Sequence, residues 1–171
     1  MNIIDMHCDT LYQIYNAKRE GRTFSLRDTA SLLVNALKMK AGGYLLQNFA
    51  AFVDIEEAKE VLGGEDAPYR YAKELVRIFK EQIAANSDLI RPAASFAELQ
   101  ANQEAGVASA MLTLEEGGIC LGDIEKLREF YQDGARMMTL TWNYENEIGY
   151  PAAMQKEGSS GYRQGEKRTY G

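Results

Sequence analysis

His7 and Asp9 stand two residues apart in the stretch Ile3–Thr10, which reads Ile-Ile-Asp-Met-His-Cys-Asp-Thr. An imidazole and a carboxylate can both ligate a metal. Read as a strand, this stretch puts His7 and Asp9 on one face and Cys8 on the other, because successive side chains alternate. His7 is the single histidine of the chain, so no other residue competes for its role. Two more carboxylates, Glu115 and Glu116, close an apolar run and precede Gly117-Gly118. Those glycines let the backbone turn sharply and come close to a ligand. Glu116, directly before them, is the candidate that can reach the mouth of a barrel beside His7 and Asp9. One imidazole and two carboxylates can hold zinc or a similar divalent ion with a position left for water. On the residues alone, plainer readings stay open. These are a surface histidine beside a turn-forming aspartate, and an acidic pair at a helix start, where the dipole favours it.

Such residues need strands to carry them. After the opening stretch, the near-continuous apolar run Tyr44–Val53 predicts a second, fully covered strand, as in parallel sheets. Val107–Leu114 and Ala135–Thr141 predict a third and a fourth. Leu32, Leu33, Ala36 and Leu37 repeat at helical spacing ahead of Gly42-Gly43. Asp66–Asn86 predicts the clearest helix, with Asp66 as cap, Pro68 in the first turn and an apolar stripe through Tyr69, Ala72, Leu75, Val76, Phe79 and Ile83. Ser95 with Glu98 forms a capping box for a second helix, and Asp123–Asp133 predicts a third, ended by Gly134. From Glu145 to Gly171 the glycines mark a long loop. Strands alternating with helices give an α/β fold with a parallel sheet. The polar candidates fall at the C-terminal ends of strands one, three and four, where (β/α)8 barrels keep their chemistry. Four strands in 171 residues make about the first half of such a barrel, as one domain spanning residues 1–171.

The bulk composition restricts the partners. With 46% hydrophobic and 26% charged residues, the chain is of ordinary globular make-up. The net charge of −6 comes without a basic tract, which argues against nucleic acid and anionic membrane. Two distant cysteines, Cys8 and Cys120, indicate neither a disulfide scaffold nor a cysteine zinc site. No signal-peptide pattern precedes the first strand and no apolar run approaches the ~20 residues of a membrane span. The expected location is cytoplasmic. No Gly-rich nucleotide-binding signature follows any strand.

Taken together, Ile4-Asp5-Met6-His7-Cys8-Asp9-Thr10, Glu116-Gly117-Gly118 and Gly134-Ala135-Arg136-Met137-Met138-Thr139-Leu140-Thr141-Trp142-Asn143 resemble the renal (membrane) dipeptidase family of zinc peptidases. Gly42-Gly43 followed by Gln47 and Phe49 resembles that family's second strand. The resemblance implies a (β/α)8 barrel with a two-metal zinc site that hydrolyses dipeptides. It implies His7 and Asp9 as metal ligands and Glu116 as the carboxylate bridging two zinc ions. Trp142 stands where many members place a substrate-contacting histidine, which makes Trp142 and Asn143 the substrate-binding candidates. An indole donates one hydrogen bond and cannot be a cation. The family's other histidine ligands, its catalytic aspartate and its substrate arginine belong to the second half of the barrel. The chain by itself is therefore expected to be inactive, with unpaired sheet edges open to self-association or to pairing with that second half. The alternatives are an amidohydrolase-type enzyme acting on a non-peptide amide or lactone, and a non-catalytic truncated product.

Overall fold

The computed structural model describes residues 2–154. Five strands form one parallel sheet: β1 (Ile3–Asp5), β2 (Tyr44–Phe52), β3 (Ile90–Pro92), β4 (Ala108–Glu115) and β5 (Ala135–Thr139). β4 is the spine. β2 pairs along it from Ser109 to Glu115. The other edge of β4 is shared, with β3 beside Ala108–Ala110 and β5 beside Leu112–Glu115. The four predicted strands thus lie in chain order, and β3 is an added three-residue piece ending at a proline, which has no N–H to extend a ladder.

Among the described residues, six α-helices accompany them: α1 (Thr10–Arg19), α2 (Ala36–Gly42), α3 (Ile55–Leu62), α4 (Ala67–Ala85), α5 (Phe96–Glu104) and α6 (Ile124–Gln132). α4 buries Tyr71, Ala72, Leu75, Val76, Ile78, Phe79 and Ile83. Phe79 meets Phe49 of β2 with ring centroids 6.0 Å apart, and Tyr71 meets Tyr15 of α1 at 4.5 Å. The helix-facing side of the sheet is therefore Phe49, Ala51 and Val53 together with Ala110, Leu112 and Leu114, all in one core cluster. Side chains alternate along a strand, so Phe52 and Glu115 face the other way.

The helix starts follow their caps. Ser95 Oγ accepts from Glu98 N at 3.3 Å, and the Glu98 carboxylate returns to Ala94 N at 2.7 Å. Asp66 precedes α4 without capping it and pairs with Arg70 at 3.1 Å instead. Leu33, expected on a helix, is 83% exposed, because α2 begins only after Asn35, whose side chain accepts from Lys38 N. α3 is an element the periodicity did not predict. Asp54 caps it by accepting from Glu56 N and Glu57 N. In the expected loop 145–171, residues 145–154 carry a turn around Asn146 and a 3₁₀ turn at Ala152–Met154. The rest of that expectation lies outside the described residues. No helix among the described residues is long and apolar enough to cross a membrane.

Candidate metal site

β1 ends at Asp5, three residues into the stretch that the sequence reads as a strand up to His7 and Asp9. The Asp5 carboxylate accepts the His7 amide at 3.2 Å and turns the chain there. The path stays close to β2, since Ala50 N donates to Cys8 O at 3.1 Å. Cys8 is buried in the core while His7 is exposed, although the segment that carries them is no longer a strand. His7 Nε2 lies 3.1 Å from Asp9 Oδ1. Asp9 is the residue before α1 and makes no side-chain cap bond, so its carboxylate is left to the histidine.

The third member is Glu115. His7 Nδ1 is 3.6 Å from its Oε2, and one ligand atom each of His7, Asp9 and Glu115 lie within 4.8 Å of one another. Burial pushes the Glu115 carboxyl above its ordinary value, with His7 opposing and the Asp9 charge adding to the rise. Four-coordinate zinc with ligand bonds of ~2.0–2.2 Å requires pairwise ligand separations of roughly 3.4 Å. With one ligand atom per residue the three lie within 4.8 Å of one another, close enough for a small inward shift of the side chains to meet that geometry, and one nitrogen with two oxygens is a donor set that zinc accepts. The residues fit a divalent ion.

Glu116 is not in this cluster. It is the glutamate directly before the glycines, and the sequence placed it with His7 and Asp9. Its side chain is fully buried on another side of the turn. Oε1 accepts from Gly118 N at 2.7 Å and from the Asn146 amide, and Oε2 accepts from Trp142 N at 2.9 Å. The reason is strand alternation. Leu112 and Leu114 point to the helices, so Glu115 takes the opposite face and Glu116, one residue on, leaves it. Glu116 also stands at φ +112°, a region that L side chains rarely occupy. The glycines are needed for close packing. A Cβ on Gly117 would lie 2.6 Å from the Leu140 carbonyl oxygen, and one on Gly118 would lie 2.6 Å from Ile55 Cδ1.

β5 ends at Thr139, so Trp142 follows in a loop. Its ring packs edge-on against Phe52, centroids 4.8 Å apart, and against Tyr144 at 6.1 Å. Phe52 is the register partner of Glu115, so the indole borders the cluster at the C-terminal end of the sheet. Asn143 is exposed on the same loop. Tyr12 continues the aromatic row against Phe52 at 5.4 Å. Asn146, which the sequence reading did not single out, is the hub of this loop. Its amide donates to Leu140 O at 2.8 Å and to Glu116, and its Oδ1 accepts from Ile148 N and Gly149 N.

A parallel α/β sheet with an imidazole and two carboxylates gathered at the C-terminal ends of its strands has the layout of a metal-dependent hydrolase barrel. The model of the membrane dipeptidase family (peptidase family M19) matches residues 1–166. The chain belongs to that family. Among solved structures it is similar to a dipeptidase described as a metallopeptidase of family M19, at 19% identity and TM-score 0.72, covering 88% of this chain and 45% of that one. A metallopeptidase from Rhodobacter sphaeroides, solved with a phosphinate mimic of the dipeptide L-Ala-D-Ala, matches at 18% identity and TM-score 0.73, covering 86% and 48%. An amidohydrolase from Pseudomonas aeruginosa matches at 20% identity and TM-score 0.60, covering 73% and 35%. The chain spans less than half the length of each of these structures. A search of curated proteins returns no match. The fold is that of the family's TIM-like barrel, of which this chain covers about half.

Proposed function

We infer that the chain carries the His7–Asp9–Glu115 side of the active site of a zinc-dependent dipeptidase. The observation that supports this most is the convergence of those three ligand atoms within 4.8 Å, at the strand ends of a membrane dipeptidase family chain. A zinc ion held there supplies Lewis acidity for a peptide carbonyl and makes water acidic enough to attack it. The chain's own residues do the rest. His7 has a carboxylate beside each ring nitrogen, Asp9 at Nε2 and Glu115 at Nδ1, so either nitrogen can be turned to the ion. Trp142, Phe52 and Tyr144 form an apolar wall for a substrate side chain, and Asn143 offers an exposed amide beside it. If two zinc ions are bridged by a glutamate, the family resemblance points to Glu116, whose carboxylate here accepts from Gly118, Trp142 and Asn146 and stands one residue from the cluster. Three ligands suffice for one catalytic zinc, and a second ion needs groups beyond the chain's single histidine. Hydrolysis of a dipeptide by the 171 residues alone is therefore expected to be negligible, and the second half of the barrel, in cis or in trans, is expected to restore it.

The test is a zinc titration of the chain and its His7→Ala and Glu115→Ala variants. Hydrolysis assays follow, with and without the complementary half. L-Ala-D-Ala is the first dipeptide to assay, given the mimic bound in the Rhodobacter structure. A lactone and an N-acyl amino acid in the same panel address the amidohydrolase alternative. Equal zinc affinity in all three proteins would refute the assignment.

A further inference from the structure

The helix-facing side of the sheet holds a cavity that the metal cluster does not use. It lies where the second edge of β4 passes from β3, which ends beside Ala110, to β5, which begins beside Leu112. Its volume is about 300 Å³. Ala110 and Leu112 form the floor, Phe79 and Ile83 of α4 one wall, and Pro92 and Ala93 at the end of β3 the other. Among the described residues, no helix closes it. α5, the helix after β3, buries only Asn102 and takes no part in the lining. Ala84, Ala93, Ala110 and Gly134 carry a methyl group or a hydrogen where longer side chains would fill the space. Phe52 and Glu115 point to the opposite side of the sheet, so the cavity is separate from the cluster.

The lining decides what can enter. Its two charged groups, Lys80 and Asp133, are paired with each other at 2.6 Å, and the other oxygen of Asp133 takes Lys73. No charge is left over for an ionic ligand, and Ser87 is the one uncharged polar side chain of the lining. A water needs two to four polar partners. An apolar cavity of about 150 Å³ that lacks them stays dry and takes benzene. A protein partner is too large, since a stable contact covers about 800 Å² on each side, far beyond the mouth of such a space. We propose that this cavity is a binding site for a neutral apolar small molecule of about ten carbon atoms, such as an alkylbenzene, at the lower end of the ~300–1,000 Å³ in which proteins hold small ligands. The molecule lies on Ala110 and Leu112, between α4 and the end of β3.

The full chain, without added metal, is titrated calorimetrically with n-butylbenzene and with 4-phenylbutyrate, which has the same carbon count and a carboxylate. The wild type is expected to bind one n-butylbenzene saturably, with the negative heat-capacity change of apolar burial, and to bind 4-phenylbutyrate about tenfold more weakly or less. Ala84→Trp sets an indole over the mouth from an exposed helical position, and Ala110→Leu fills the floor. Each is expected to weaken n-butylbenzene by about tenfold or more. Leu33→Ala removes an exposed leucine outside the lining and is expected to leave binding unchanged. If Ala110→Leu does not fold, Ala84→Trp carries the test alone. Binding that fails to saturate, or that Ala84→Trp leaves at wild-type strength, overturns the site. Equal or tighter binding of 4-phenylbutyrate overturns the neutral class of ligand. None of these readouts depends on zinc, so their failure leaves the metal reading untouched.

Discussion

Replacing the two adjacent glutamates one at a time should give opposite phenotypes. Glu116→Ala removes the acceptor of three N–H groups. Asn146 keeps a bond to the Leu140 carbonyl at 2.8 Å, so two backbone donors are left unpaired, Gly118 N in a buried turn and Trp142 N in a half-buried loop. A buried orphan costs about 1–3 kcal/mol and a half-buried one less, so the loss is roughly 2–4 kcal/mol. At ~2–4 °C per kcal/mol for a chain of this size, the metal-free melting temperature should fall by about 10 °C. Glu115→Ala removes a part-exposed carboxylate that faces His7 at 3.6 Å and lies close to another acid. Its metal-free stability should change by less than about 1 kcal/mol, the range of exposed pairs. Zinc reverses the comparison. At a concentration ~100 times its dissociation constant, a ligand adds about 2.7 kcal/mol. The wild type should therefore gain several degrees, Glu116→Ala should still gain, and Glu115→Ala should gain nothing. Calorimetry or circular-dichroism melts with and without zinc read all of this. A Glu116→Ala protein that melts like the wild type without metal and loses the zinc increment would show that Glu116, and not Glu115, holds the ion.

Gly117→Ala should lower stability by about 1–3 kcal/mol, the usual cost of overpacking, because its Cβ would meet a backbone carbonyl at 2.6 Å that has no rotamer to escape into; thermal melts check it. Glu74, held at about 2 by its hydrogen bonds to Arg77 and then Lys18 against the cost of burial, links α4 to α1. Its folded value is depressed, so its contribution is complete above the ordinary carboxylate range and is lost as pH falls toward about 2; the melting difference between wild type and Glu74→Gln should shrink over that window. Burial raises both Cys8 and Cys120 to about 11. Neither should react with a thiol reagent at neutral pH until the protein unfolds, and a fast reaction of the native chain would contradict the burial.

Much of the frame was legible because it rests on patterns with a fixed period. The continuous apolar run gave β2, the stripe from Ala72 to Ile83 gave α4, and the Ser95–Glu98 box gave the start of α5. The same box logic was available at Asp54 and Glu57 and would have revealed α3. What hid it was its length: Ile55, Ala58, Val61 and Leu62 recur at helical spacing, but over two turns only and with charges between them. β3 is too short for any period to register. The site was half legible. The closeness of His7 and Asp9 follows from spacing, but which of Glu115 and Glu116 lies beside them in the metal-free structure depends on counting faces forward from Leu112 and Leu114, and a motif ending in two glycines carries no such count. Asn146 was out of reach, since an asparagine in a loop becomes a hub only through partners that the fold supplies.

The unfilled cap of α1 ties the order of that helix to the chemistry beside it. A helix whose first residue is preceded by an aspartate ordinarily gains about 1 kcal/mol from the side chain's bond to its free amides. Here the carboxylate of Asp9 has turned to His7, and only its carbonyl serves the helix, accepting from Gln13 N at 3.0 Å. The opening turn of α1 is thus anchored through whatever occupies the carboxylate. A cation drawn to the cluster would pull on Asp9 and steady the first turn, and loss of that cation would let the turn fray. Local opening of one helix end and occupancy of the site are then two views of a single equilibrium, and amide exchange at Gln13 is where the two can be read together.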